Sequence, residues 1–237
     1  MRPIGFSTGA LAYSDFRRGL SMIHRRNLRA IELSALREPE LIGLVEGLHD
    51  LDLSEFNYIA VHAPSQIKRE HEEGVVQLLV RVSRYSWPIV VHPDAMHKPR
   101  LWKCLGEVLC IENTDKRKLV GRTAGELMSV FREFPEAGFC FDIGHAWQVD
   151  STMTEAYLLL KAFGGRLRQV HVSEVNTRSK HDPLSYASIT AFKGIAHLIP
   201  DDVPIILETP VPEEQIELQI KRAMEALPLC REAALTR

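Results

Sequence analysis

Six residues of ligand type close six apolar runs of this 237-residue chain: His62, His92, Glu112, Asp142, His171 and Glu208. Each run has the length of a buried strand. Burying an unpaired polar group costs roughly 2–7 kcal/mol, and an ionised carboxylate costs more. Asp142, which ends Phe139-Cys140-Phe141, therefore calls for a cation. Mixed imidazole and carboxylate ligands suit Zn, Mn, Co or Fe; Mg suits so much imidazole less. His145 follows Asp142 by three residues, and His181 sits in the long segment after the run ending at Val172. One ion takes roughly four to six ligands. The eight candidates thus suffice for one to three divalent ions if a carboxylate bridges. A lone strand-end His or carboxylate is ordinarily a satisfied structural residue. Six in succession are not what chance supplies.

Other candidates carry less. His24, His49, His71 and His197 fall in or near helical segments and are expected at the periphery. Glu32 lies inside its run, as a polar interior group or half of a structural ion pair. Lys68-Arg69-Glu70-His71-Glu72-Glu73 is mixed in sign and is expected to be a solvated face.

The elements that must position these residues alternate. Strands are expected at Ile4–Ser7, Ala30–Leu33, Tyr58–His62, Trp87–His92, Val108–Glu112, Gly138–Asp142, Leu167–Val172 and Pro204–Glu208. Between them, helical spacing appears over Asp15–Arg25, Glu38–Leu48, Arg69–Val82, Leu101–Leu105, Tyr186–Leu198 and Pro212–Ala226. Thr123-Ala124-Gly125-Glu126 and Thr152-Met153-Thr154-Glu155 fit the capping box and open two more helices. Eight strand–helix units predict a single-domain α/β protein over 1–237, a (β/α)8 TIM barrel. In that fold the strand ends meet at one face. The rival is an open doubly wound sheet, but Ser7-Thr8-Gly9-Ala10 is not the glycine-rich phosphate loop such a sheet would use.

The net charge of −2 argues against a global basic field, though not against a local basic cleft. No apolar stretch reaches the ~18 residues of a membrane span, and Met1-Arg2-Pro3-Ile4-Gly5 leads into no secretory signal. Of Cys104, Cys110, Cys140 and Cys230, none forms a C-x-x-C pair; Cys110 and Cys140 fall in strands as small core residues. A reduced, cytoplasmic protein is expected, with a homo-oligomer left open.

His62-Ala63-Pro64, His92-Pro93, Glu112-Asn113-Thr114 and Asp142-Ile143-Gly144-His145-Ala146 resemble the xylose isomerase-like barrel superfamily. That group includes sugar isomerases and epimerases and the endonuclease IV group of DNA-repair nucleases. These motifs look like the nuclease pattern, which implies up to three ions, with Glu112 bridging two. That pattern also implies an Asp two residues before His181; Ser179 stands there, with Asp182 as a substitute. His171-Val172-Ser173-Glu174-Val175-Asn176 with Arg178 looks more like the ketose 3-epimerases. There the resemblance implies one ion on Glu112, Asp142, His171 and Glu208. Glu112 and Glu208 would be acid and base, and His145 and Arg178 would contact substrate.

Three functions follow as expectations. The first is isomerisation or epimerisation of a small sugar or sugar phosphate: the metal polarises a carbonyl, Glu112 or Glu208 moves the proton, and Arg178 and Lys180 hold phosphate or hydroxyls. The alternative is phosphodiester hydrolysis on two or three ions, with nucleic acid as partner. It would use His62 and His92, but His62-Ala63-Pro64-Ser65-Gln66 offers no aromatic wedge for a duplex. The third is a barrel that binds a metabolite without turnover.

Overall fold

Alternation along each strand decides which residues fill the barrel and which face its helices. The computed structural model describes residues 2–229; Cys230 lies outside the described residues. The barrel strands are β1 (Ile4–Ser7), β2 (Ala30–Ser34), β3 (Tyr58–His62), β4 (Ile89–Val91), β5 (Leu109–Glu112), β6 (Gly138–Asp142), β7 (Leu167–Val172) and β10 (Ile205–Leu207). They pair in parallel and close in the order β1-β10-β7-β6-β5-β4-β3-β2. The expected (β/α)8 barrel is therefore the fold. Leu33, Val61, Ile111, Phe139 and Phe141 face outward into the main apolar core under the helices. Val90, Cys110 and Cys140 form a separate small cluster inside the barrel. Both cysteines are free, as is the exposed Cys104.

The helices are α1 (Thr8–Ala12), α2 (Phe16–Ile23), α3 (Glu38–Gly47), α4 (Glu72–Ser83), α5 (Pro99–Trp102), α6 (Ala124–Glu133), α7 (Ile143–Val149), α8 (Thr154–Phe163), α9 (Tyr186–Lys193) and α10 (Ile216–Ala226). A hairpin of β8 (Glu174–Val175) and β9 (His181–Asp182) fills the loop after β7. The sequence patterns did not announce α1, α7 or this hairpin, because each is too short to show a period. Among the described residues no helix is long and apolar enough to cross a membrane.

Local chemistry departs from expectation at three places. Thr123 does cap α6, accepting the Glu126 N–H at 3.2 Å, but the Glu126 carboxylate takes the N–H of Arg122 rather than that of Thr123. Thr152 is not the cap of α8: Asp150 accepts the N–H groups of Thr152 and Glu155 at 3.0 and 2.9 Å. The charged run before α4 is not all solvated. Glu72 is fully buried and accepts from Trp102 Nε1 and the Lys98 N–H, each at 2.8 Å.

Candidate metal centre

Each of the six strand-end candidates stands two residues after a buried barrel residue: His62 after Ala60, His92 after Val90, Glu112 after Cys110, Asp142 after Cys140, His171 after Gln169 and Glu208 after Ile206. The strand period of two puts both members of such a pair on the same side. The last inward position of six successive strands therefore lies at the C-terminal mouth. Asp142 and His171 are paired neighbours across β6 and β7.

Two ligand groups overlap there. In one, Glu112, Asp142, His171 and Glu208 each offer an atom within 4.8 Å of the others; in the second, His62, His92 and Glu112 do the same. Glu112 belongs to both. Its Oε2 lies 3.0 Å from His62 Nε2 and 3.3 Å from His92 Nε2. Its Oε1 lies 3.5 Å from His171 Nδ1, which is itself 3.4 Å from Glu208 Oε2. Two further groups tie these together: His62 with His171 and Glu208, and Glu112 with His171 and Cys140, a cysteine that the sequence marks only as core.

The donor set fits divalent metal on the buried atoms left over. Glu112 Oε1, Asp142 Oδ2, His171 Nδ1 and His92 Nδ1 are buried without a hydrogen-bond partner. Orphaned buried groups cost about 1–3 kcal/mol each, and more when charged. Three of these four belong to the four-ligand group, which is the environment a cation would satisfy.

Without a cation the imidazoles take that role. Burial opposes ionisation of Glu112, but His92, His171 and His145 outweigh it and hold the carboxyl well below its usual range. Burial likewise opposes charge on His62 and His145; carboxylate neighbours overcome it and lift them to about 9 and about 10. Asp142 goes the other way, pushed by burial to about 7. Burial of the Cys140 thiol keeps it protonated.

Asp142 and His145 are locked together by α7. Asp142 is its N-cap, with Oδ1 accepting the His145 N–H at 2.6 Å. The free Oδ2 is left for the mouth. Gly144 allows this turn, since a Cβ there would collide with the Ser173 carbonyl oxygen. Asn113 clamps the same point: its amide donates to Asp142 O at 2.7 Å and its carbonyl accepts the Asp142 N–H at 2.8 Å. Asn113 was visible only as part of a motif, with no expected role.

His145 and His181 lie beside the ligand groups rather than in them. His145 Nδ1 donates to Asn113 O at 3.0 Å, and His181 Nδ1 lies 2.7 Å from Ser173 Oγ and 3.6 Å from Glu208 Oε2. Their rings are 5.4 Å apart. Asp182 is in none of the ligand groups, and its Oδ2 accepts from Asn176 Nδ2 at 2.8 Å. Ser179 accepts instead from Gln148 Nε2 at 2.8 Å.

The mouth opens into a cavity of about 870 Å³. Its lining includes His62, His92, Glu112, His145, His181 and Glu208. Its cationic residues are Arg37, Lys68, Arg117 and Lys118, all from loops after β2, β3 and β5. Arg178 and Lys180 are not among the lining residues. They are exposed at the turn between β8 and β9, where Asn176 Oδ1 takes both backbone N–H groups. Arg178 rested on the resemblance of the motif that begins at His171, and Lys180 on its place beside Arg178; the hairpin turn holds both outside the lining. His71, expected at the periphery, lines the cavity and pairs with Glu38.

The xylose isomerase-like TIM barrel family model matches residues 101–230. No curated protein matches the chain in sequence. Endonuclease IV from Thermus thermophilus superposes with a TM-score of 0.60 at 20% identity, covering 95% of this chain and 98% of that one. A xylose isomerase domain protein from Alicyclobacillus acidocaldarius gives 0.63 at 12% identity, covering 98% and 99%. At such identities the likeness is one of fold.

Proposed function

Because the chain belongs to the xylose isomerase-like TIM barrel family, a largely enzymatic group, we propose that it is a divalent-metal-dependent phosphodiester hydrolase with two ions sharing Glu112. The observation that carries this reading is the overlap of the two ligand groups at Glu112. A one-ion proton-transfer mechanism uses Glu112, Asp142, His171 and Glu208, and has no task for His62 and His92. A hydrolase has one.

Asp142, His171 and Glu208 would hold one ion with Glu112, and His62 and His92 the other. When bound, such a pair supplies Lewis acidity to the phosphoryl group and lowers the pKa of water. The chain supplies the rest. Glu208, still partly exposed at the mouth, is placed to take a proton from the attacking water. His145, with His181 beside it, is placed to donate to the leaving oxygen. Arg37, Lys68, Arg117 and Lys118 line one side and attract an anionic substrate. A cavity of about 870 Å³ suits a small-molecule diester better than a duplex.

Sugar isomerisation stays as the second reading, because the four-ligand group alone matches the one-ion arrangement. Metal-loaded protein incubated with a chromogenic phosphodiester and, separately, with a ketose panel tests the choice. Diester cleavage abolished by chelator is expected; ketose turnover without cleavage would reverse the order of the two readings.

A further inference from the structure

A buried polar chain runs up the barrel interior to the ligands. Tyr58 Oη donates to Gln169 Oε1 at 2.7 Å. Gln169 Nε2 donates to Glu32 Oε2 at 2.7 Å, and His171 Nε2 lies 2.8 Å from the same oxygen. Glu32, Gln169 and His171 are fully buried. Glu32 belongs to neither ligand group.

His171 must present a bare Nδ1 to be a ligand, and its Nδ1 is the orphan that faces Glu112 and Glu208. Two neighbours compete for the other nitrogen. Glu32 Oε2 can only accept, so it draws the proton onto Nε2. Gln169 Nε2 sits 2.6 Å from His171 Nε2 and can only donate. Left alone with His171, that amide would pair with a bare Nε2 and drive the proton onto Nδ1, where it would block a metal. The carboxylate wins, since both donors converge on its Oε2 and hydrogen bonds to a carboxylate are roughly twice as strong as neutral ones. It also gives the amide N–H another acceptor.

We propose that Glu32 is a positioning residue: it fixes His171 with the proton on Nε2, so that Nδ1 binds metal, and it does so against Gln169. Tyr58 holds the Gln169 carbonyl and thereby aims the amide N–H group at Glu32. The role rests on metal binding by the four-ligand group and holds for whichever reaction the centre performs. Partners of this kind beside a ligating imidazole typically change metal affinity by about 10–100-fold.

The test is a calorimetric titration of chelated protein with zinc. Glu32→Ala should weaken binding at the group containing His171 by about 10–100-fold, with the His62–His92 group less affected. Gln169→Leu in the Glu32→Ala background removes the competing donor and should recover part of the loss, which a merely structural role for Glu32 would not produce. Nitrogen NMR of wild-type protein loaded with cadmium needs no variant, and should show His171 ligated through Nδ1 and protonated at Nε2. Ligation through Nε2, or zinc affinities in Glu32→Ala equal to wild type, would overturn the role of Glu32. Wild-type protein that binds no zinc would overturn the metal reading itself.

Discussion

Chelated protein should lose stability as pH rises from about 6.5 to about 10, and metal should abolish the loss. His62 and His145 have folded pKa values of about 9 and about 10, against about 6.5 in an unfolded chain. Below about 6.5 both states carry the proton, and the pairing of imidazolium with Glu112 contributes in full. Above the folded values both states are neutral and the contribution is gone. The shift at His62 alone corresponds to about 3 kcal/mol at about 1.4 kcal/mol per unit. His145 faces the same carboxylate, so the two do not add in full. Asp142 ionises in the folded state near pH 7 against about 3.9 unfolded, so its loss falls mostly below this window. For a chain of this length about 3 kcal/mol is a fall of roughly 6–12 °C in Tm. Thermal melts in chelator at a series of pH values measure it directly. With ions bound, cations replace protons among the carboxylates, and binding strengthens as pH rises because protons are released. A chelated protein whose Tm is flat or climbs over this window would mean that His62 and His145 do not hold their protons among these carboxylates.

Glu112→Gln should lose both ions by elemental analysis and cut diester hydrolysis by roughly three orders of magnitude, about 4 kcal/mol of transition-state stabilisation. Lys68→Ala combined with Arg37→Ala should raise KM for an anionic diester, more so at low salt, whereas Arg178→Ala with Lys180→Ala should leave KM and kcat unchanged; steady-state kinetics separates the two pairs. Asn113→Ala removes two buried hydrogen bonds to the Asp142 backbone and should cost about 2–4 kcal/mol by urea denaturation.

The barrel was legible because its strands are apolar runs of uniform size, and because the period of two carries the ligand at each strand end. The same regularity made His62, His92, Glu112, Asp142, His171 and Glu208 readable as one set. Glu32 escaped because it stands mid-strand; its meaning depends on Gln169 and His171, which are neighbours only once β1 and β10 have joined β7 to β2. Arg178 and Lys180, singled out from a motif resemblance, fall outside the cavity lining because the β8–β9 hairpin turns them to solvent, and strands of two residues leave no periodic trace. The cationic lining was missed for the opposite reason: Arg37, Lys68 and the adjacent Arg117 and Lys118 come from three separate loops far apart in the sequence. The preference between isomerase and hydrolase turned on geometry. Only the structure brings one carboxylate, Glu112, to within reach of both His62 with His92 and His171 with Glu208.

Everything proposed for the reaction depends on how many ions the shared carboxylate supports. The deciding measurement is metal content per chain, by elemental analysis of protein purified without chelator and again after reloading. Two ions per chain are expected, both lost in Glu112→Gln. A single ion that persists in the double variant His62→Ala, His92→Ala would contradict the dinuclear centre and return the chain to proton-transfer chemistry.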